Sequence, residues 1–519
     1  MDYCEDDSLK TKQCFYISCS SPYWVDIAKQ LQQKHDWQPL YWSGLQKIKP
    51  LVEETFPNIY FHESMHAVRG NHLSLFEKNP HQPIDTTLLH ALGDTFLIAL
   101  QMMNRMDRKN LFGFQERCTL FYSYVHYWSV VLDQLQPDLI IFPVSPHIIF
   151  DYVLYSLCKQ KQIPTILFQQ TSLPNLLYPV QQFEKGNPQL ITYYQQLLTT
   201  ASSLPLLSEE NKKHVQQIKG DYETAIPFYT KDQTSRKNPL YYACKKIMTN
   251  PDNLQNIIHK GYYLFTRDHY IKTKDQPIQS SNSKQIHYLF MKLEGIQKKN
   301  KLKHYYQTLV QPIDYHRPFV YFPLHYQPEN TTSPQGGIYA DQFLVIDMIS
   351  QLLPKGWILY VKEHPAQWHP LFHGECSRDI IFYEQVNNMP NVSFVSTTLP
   401  SFDVIDHAQA VVTITGTSGW EALLRGIPVL LFGDAWYTDC QGAFRIHTTT
   451  DCNHAISLIT NKYVVNEEHV LLFIKTLETI GVRGYVEDAY QQVSTIPYEE
   501  NVETIAETIN QFYTTRISS

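Results

Sequence analysis

Along the first third of the chain, short apolar runs alternate with longer stretches whose apolar residues recur at helical spacing. Cys14-Phe15-Tyr16-Ile17-Ser18 reads as a strand, Pro22 to Lys34 as an amphipathic helix, and Pro39 to Trp42 as a second strand. Thr87 to Met106 and Glu116 to Leu135 carry apolar residues at i, i+3 and i+4 and are expected to be long helices. Asp138 to Pro143 (DLIIFP) has the apolar centre of a strand buried on both faces of a parallel sheet. Ser145-Pro146 then predicts a helix start, with serine as N-cap and proline at the first helical position. Pro164 to Phe168 is the next strand, and this alternation predicts a doubly wound parallel sheet.

A second alternating block begins at Phe319. Its expected strands are Phe319 to Pro323, Trp357 to Lys362, Val392 to Val395, Ala410 to Thr415 and Val429 to Phe432, with a helix over Tyr339 to Leu353. Between the blocks the chain is rich in Gln, Asn, Lys and Tyr with mostly helical apolar spacing, and Lys272 to Lys284 reads as a polar loop. Glu467 to Ile480 and Val502 to Tyr513 look helical. The pattern divides the chain into an N-terminal Rossmann-like domain (1–180), a mainly helical connector or insertion (181–316), a C-terminal Rossmann-like domain (317–465) and helices packing back across both (466–519).

Composition narrows the function class. The net charge of −7 argues against non-specific nucleic-acid binding, which needs a basic footprint. Lys298, Lys299, Lys301 and Lys303 form a local basic run best read as a solvated helix face or loop. The 35 tyrosines and 26 phenylalanines suit a sugar-handling surface, but a packed core uses the same residues and is the favoured reading. Nine scattered cysteines without a CxxC pair point to reduced thiols. The start, MDYCEDDSLKTK, lacks the pattern of a signal peptide, and the longest apolar run, Leu139 to Phe150, is broken by prolines and too short to span a bilayer. A cytoplasmic protein is expected, with peripheral contact at the inner face of the membrane left open.

Candidate chemistry concentrates in the second block. Thr415-Gly416-Thr417-Ser418 follows an apolar strand and opens a short helix that ends at Gly426, with Pro428 and another strand behind it. Free N–H groups and a positive dipole end suit a phosphate at such a turn. Glu421 lies one helical turn further on. An ordinary Ser/Thr cap uses the same residues, but the whole strand–GTS–helix–Gly–x–Pro–strand sequence favours nucleotide binding. In Trp357 to Pro365 a strand delivers Lys362, Glu363, His364 and Pro365 at its C-terminal end, where Lys362 and His364 can meet phosphate oxygens. The first strand of the block runs into His325, Gln327 and Glu329, followed by Gly336 and Gly337. In the first block, His147 and Asp151 stand four apart on the helix expected from Ser145, hence on one face. Asp151 could act as general base or nucleophile, with His147 orienting it or assisting the leaving group.

From Phe319 to Phe432, through HYQPE, GGIYADQ, VKEHP and TGTSGWEAL, the chain resembles the capsule polysaccharide biosynthesis family, which includes the Kdo transferases. The resemblance implies a GT-B-like α/β fold, two Rossmann-like domains facing a central cleft, and a glycosyltransferase using a CMP-activated acidic sugar such as CMP-Kdo. It implies that His364 and Pro365 form the HP motif, that Thr417 and Ser418 hold the phosphate, that Glu421 holds the ribose, and that Asp151 corresponds to an N-domain catalytic carboxylate. The partners it implies are a nucleotide-sugar donor and a glycan or glycolipid acceptor, with no cofactor. No Asp-x-Asp cluster stands out, so metal-independent catalysis is expected. A CDP-glycerol-type glycerophosphotransferase and a non-catalytic glycan-binding shell of the same fold are the alternatives.

Overall fold

A computed structural model describes residues 11–77, 83–107, 112–201, 203, 205–220, 282–369 and 372–517. Two sheets organise them. The first has the order β13-β6-β5-β4-β1-β2-β3. Its strands are β1 (Lys12–Tyr16), β2 (Trp37–Gly44), β3 (Tyr60–Glu63), β4 (Leu139–Phe142), β5 (Thr165–Gln170), β6 (Leu176–Val180) and β13 (Val482–Arg483). Strands β1 to β5 run parallel, while β6 and β13 are antiparallel additions at one edge. The second sheet is parallel throughout, in the order β12-β11-β10-β7-β8-β9. It contains β7 (Phe319–Pro323), β8 (Ile358–Lys362), β9 (Val392–Phe394), β10 (Ala410–Thr413), β11 (Val429–Leu431) and β12 (Ala443–Arg445). In both sheets the strand order reverses beside the first strand, between β1 and β4 and between β7 and β10. Such switch points open crevices outside the C-terminal strand ends.

The pattern that builds these sheets is the one in the sequence. Leu139 to Phe142 is buried at every position, as a central parallel strand must be. Aromatics fill the cores: Trp24, Trp37, Trp42 and Trp128 are fully buried, and Tyr16 stacks on Trp42 with ring centroids 4.5 Å apart. Several local expectations change. The stretch from Thr87 to Met106 is two helices, Thr86–Ala91 and Gly93–Met106, separated at Leu92. Gly337–Ala340 is a short 3-10 turn, and the helix proper spans Gln342–Leu352. Residues 282–284, expected in a loop, begin the helix Asn282–Leu309; residues 272–281 lie outside the described set. Within that helix Lys299 is buried, donating to the carbonyls of His369 at 3.0 Å and Phe372 at 2.7 Å, while Lys298, Lys301 and Lys303 are exposed. Among the described residues seven cysteines are free; Cys4 and Cys244 lie outside them.

The helix Glu467–Ile480 leads out of the second domain, and the chain then returns to the first. There Val482 pairs with Leu177, the Trp24 indole donates to the Val486 carbonyl at 3.4 Å, and Tyr498 donates to Asp26 at 2.5 Å. The helix Tyr498–Ile517 lies against Pro22–His35, with Glu507 2.9 Å from His35. Across the domain junction Tyr178 donates to the Trp436 carbonyl at 2.9 Å, and Arg445 joins Asp434 to the Glu184 carbonyl. No helix among the described residues is long and apolar enough to cross a membrane.

Candidate functional site

The C-terminal strand ends of the second sheet face a cleft of about 1130 Å³. His325, Glu329, Lys362, Glu363, His364, Pro365, Thr415, Thr417, Ser418 and Glu421 all line it, so the second-domain residues singled out in the sequence converge on one place. The opposite wall comes from residues 170–175, at the end of β5 and just beyond it, and from residues 484–485, 490 and 493–495 of the returning segment.

The anion-ready part is the turn after β10. Thr413 ends the strand, and its hydroxyl oxygen accepts the Gly416 N–H at 3.0 Å. Gly416 is the N-cap of Thr417–Leu424, and its carbonyl accepts from the Tyr437 hydroxyl. The turn is packed too tightly for larger residues: a Cβ on Gly419 would lie 2.3 Å from the Tyr437 oxygen. First-turn N–H groups have no partner within their own helix, and Thr417 and Ser418 present theirs at the cleft. The Thr415 hydroxyl is buried with no hydrogen-bond partner.

His325, beyond β7, braces this turn. Its Nε2 accepts the Ile414 N–H at 3.2 Å, which assigns the proton to Nδ1, 3.1 Å from the Glu329 carboxylate. His364 has the opposite tautomer. Its Nδ1 accepts the Ala366 N–H at 3.1 Å, leaving Nε2–H as a donor for a ligand. Burial lowers its pKa to about 4, so the ring is neutral at physiological pH. The Lys362 ammonium donates to the Leu399 carbonyl at 2.6 Å and to Ser401 at 3.0 Å, which leaves one N–H. Burial lowers it to about 8 against the opposing pull of Glu421. Burial raises Glu421 to about 7, opposed by Thr417, Arg425 and Lys362.

Three expected site residues have other duties. Glu363 is fully buried and accepts from Arg378 at 2.9 Å, Tyr383 at 2.9 Å and its neighbour His364 N–H at 2.9 Å. Its carboxylate therefore fixes the strand end that carries Lys362 and His364 and is spent within the domain. Asp151 and His147 do not line the cleft. The helix expected from Ser145 starts at Ile149, so His147 precedes it and shares no helical face with Asp151. Asp151 is the third residue of that helix, accepting the Ile148 N–H at 2.9 Å and the Ser18 hydroxyl at 3.0 Å. Burial raises it to about 7, and burial lowers His147 to about 4. Arg105 connects this region to the cleft: it donates to the His147 carbonyl and, across the junction, to the carbonyls of Glu329 at 3.0 Å and Ser333 at 3.2 Å.

Sequence reading missed Arg105, Ser401 and the helix Glu209–Lys219. Only the helix carried a signal, since Glu210, Lys213, His214 and Gln217 stand at helical spacing and all line the cleft.

Two Rossmann-like domains facing a shared cleft define a GT-B-like α/β protein. Residues 335–455 match the model of the family described as capsule polysaccharide biosynthesis protein, across the GGIYADQ, VKEHP and TGTSGWEAL blocks. No curated protein matches the sequence. Among solved structures the chain is similar to UDP-GlcNAc 2-epimerase of Methanocaldococcus jannaschii, at 12% identity over 90% of this chain and 99% of that one with a TM-score of 0.24. It is similar to a beta Kdo 2,7 transferase of Thermosulfurimonas dismutans, at 9% identity over 79% and 95% with a TM-score of 0.28. The Anabaena protein HepE in complex with UDP-glucose matches at 13% identity over 98% and 99% with a TM-score of 0.23. At such scores, substrate and mechanism rest on this chain's own residues.

Proposed function

We propose that the protein is a metal-independent glycosyltransferase of capsule polysaccharide biosynthesis, moving a sugar from a CMP-activated donor such as CMP-Kdo to a surface polysaccharide or glycolipid acceptor. The observation that carries this reading is the meeting of His364, Lys362, Thr417, Ser418 and Glu421 at one cleft. Their chemistry fits a nucleoside monophosphate. The Thr417 and Ser418 N–H groups, the His364 Nε2–H and the remaining Lys362 N–H would surround the phosphate, and the Glu421 carboxylate would accept the ribose hydroxyls.

In transfer, the bond from the sugar's anomeric carbon to the phosphate oxygen breaks and its electron pair leaves with CMP. The donors around the phosphate stabilise that charge as it develops. The acceptor hydroxyl forms the new bond and gives its proton to a carboxylate. Glu329 suits this role better than Asp151, because it lines the cleft and is oriented by the His325 Nδ1–H. The acceptor would enter along the wall formed by residues 170–175, 484–485, 490 and 493–495.

His364→Ala is expected to abolish CMP binding in calorimetry while the melting temperature stays close to that of the parent. Unchanged CMP affinity would remove the phosphate assignment. In a thermal-shift comparison of CMP, UDP, GDP and CDP, CMP is expected to raise the melting temperature most. A larger rise with CDP, together with a phosphodiester product, would favour the glycerophosphotransferase instead.

A further inference from the structure

The helix Glu209–Lys219 has two different faces. Asn211, Val215 and Ile218 are buried against the protein. Glu210, Lys213, His214 and Gln217 stand at i, i+3, i+4 and i+7 and line the cleft. The helix is fastened along its length. Ser208 caps it, with its hydroxyl oxygen accepting the Asn211 N–H at 3.3 Å, and the Asn211 amide donates to Glu478 at 2.8 Å. At the other end Arg425 donates to the Ile218 carbonyl at 2.7 Å. In the middle, the Trp420 indole N–H donates to His214 Nε2 at 3.3 Å.

That last bond settles the state of His214. With Nε2 accepting, the ring proton is on Nδ1, and burial lowers the pKa to about 4. Trp420 is two residues past Ser418, so His214 stands beside the phosphate-ready turn. Lys213 is exposed on the same face. Glu210 adds little opposing charge, because it pairs with Arg483 at 3.7 Å and meets the Thr495 hydroxyl at 3.5 Å. The face thus offers one ammonium, one neutral ring N–H and one amide, held rigidly beside the place where a phosphate-linked group would project.

We infer that the helix Glu209–Lys219 is a third wall of the cleft and a subsite for a carboxylate-bearing sugar. Lys213 and the His214 Nδ1–H receive the carboxylate, and Gln217 receives a neighbouring hydroxyl. A fixed N–H beside an ammonium is the donor pair that a carboxylate rewards with charge-assisted hydrogen bonds, whereas a neutral sugar leaves the ammonium without a counter-charge. The inference rests on the glycosyltransferase reading for the sugar's origin, and the experiment separates the two.

Saturation-transfer NMR with free Kdo and free galactose tests the wall in the full chain. Kdo is expected to give strong saturation with the parent, at least fivefold stronger than galactose, and to lose it in Lys213→Glu. Lys213 is exposed, so the variant should fold, and an unchanged melting temperature verifies that. Equal saturation by the two sugars, or a Kdo signal that persists in Lys213→Glu, overturns the inference. CMP affinity is measured in the same samples by calorimetry and is expected to agree within about twofold between parent and variant. Loss of CMP binding in the parent would sink the nucleotide reading and leave the sugar result standing. In turnover, a KM for CMP-Kdo raised about tenfold in Lys213→Glu places the carboxylate on the donor, and a raised acceptor KM with unchanged donor KM places it on the acceptor.

Discussion

The two switch points of this protein share a topology and differ in chemistry. Between β1 and β4, the chain takes residues 143–148 to reach its helix, and Asp151 then reaches back to the Ile148 N–H. Ser18, after β1, has φ +62 and gives its hydroxyl to the same carboxylate. Between β7 and β10, only residues 414–416 separate strand from helix, and the helix opens on Gly416, Thr417 and Ser418. No acidic residue occupies that first turn. The first helix start therefore carries a carboxylate of its own, whereas the second carries none and has Thr417 and Ser418 lining the cleft. A shared strand order decides where a crevice forms, and the residues at the helix start decide whether it can bind an anion.

The largest expected effect comes from closing the open crevice. Gly419→Ala puts a methyl against the Tyr437 hydroxyl, so either the Thr417–Ser418 turn or the Tyr437 ring that donates to the Gly416 carbonyl of that turn must shift. CMP affinity should fall by about a hundredfold and stability by about 2 kcal/mol, read by calorimetry and thermal melting. CMP binding that survives would show that the turn is not the phosphate site.

A smaller effect follows from the charge state of Glu421. Its pKa is raised to about 7, and in the proposed role it would accept the ribose hydroxyls as a carboxylate. CMP affinity of the parent should drop as the pH falls through about 7, whereas Glu421→Gln should lose the part of that drop due to Glu421, keep the dependence due to Lys362 and the phosphate, and bind about tenfold more weakly above pH 7. A parallel pH profile in the variant would take Glu421 out of the site.

The smallest effect on ligand binding is expected at the first crevice. Asp151→Asn should leave CMP affinity within about twofold and act on stability instead. The folded-state pKa of Asp151 is raised from 3.8 to about 7, so the protonated form is the one that folding favours. Its contribution is fully present below pH 3.8 and is lost as the pH rises through about 7. The melting temperature of Asp151→Asn relative to the parent should therefore rise across that window. A hundredfold loss of CMP affinity in this variant would erase the contrast between the two crevices.

Much of the second domain could be read from sequence because each of its central strands is a short apolar run that ends in polar residues. Phe319–Pro323 was delimited to the residue, and β8 to within one. The strands without that signature went unread. β13 has two residues, and β6 carries Pro179 in its short run. The Ser145-Pro146 cap gives way to a second local cap three residues on, where the Asp151 carboxylate accepts the Ile148 N–H and the helix starts at Ile149. In the cleft, residue types were legible but their allegiance was not. Glu363 meets Arg378 and Tyr383, and Lys362 meets Leu399 and Ser401, through contacts that only the folded chain makes. The face of Glu209–Lys219 was legible in spacing but sat in a stretch whose neighbours gave no hint of a cleft.

The returning segment also sets an order of events during synthesis. Strand β13 and the helix Tyr498–Ile517, which packs on Pro22–His35, leave the ribosome only after the whole second domain has been made. Until then the edge at β6 stays unpaired, and Trp24, Ile27 and Leu31 await the helix that helps enclose them. The half of the molecule translated first is thus completed second, and a nascent chain stalled just before Val482 should carry a finished second domain and an unfinished first one that chaperones would recognise.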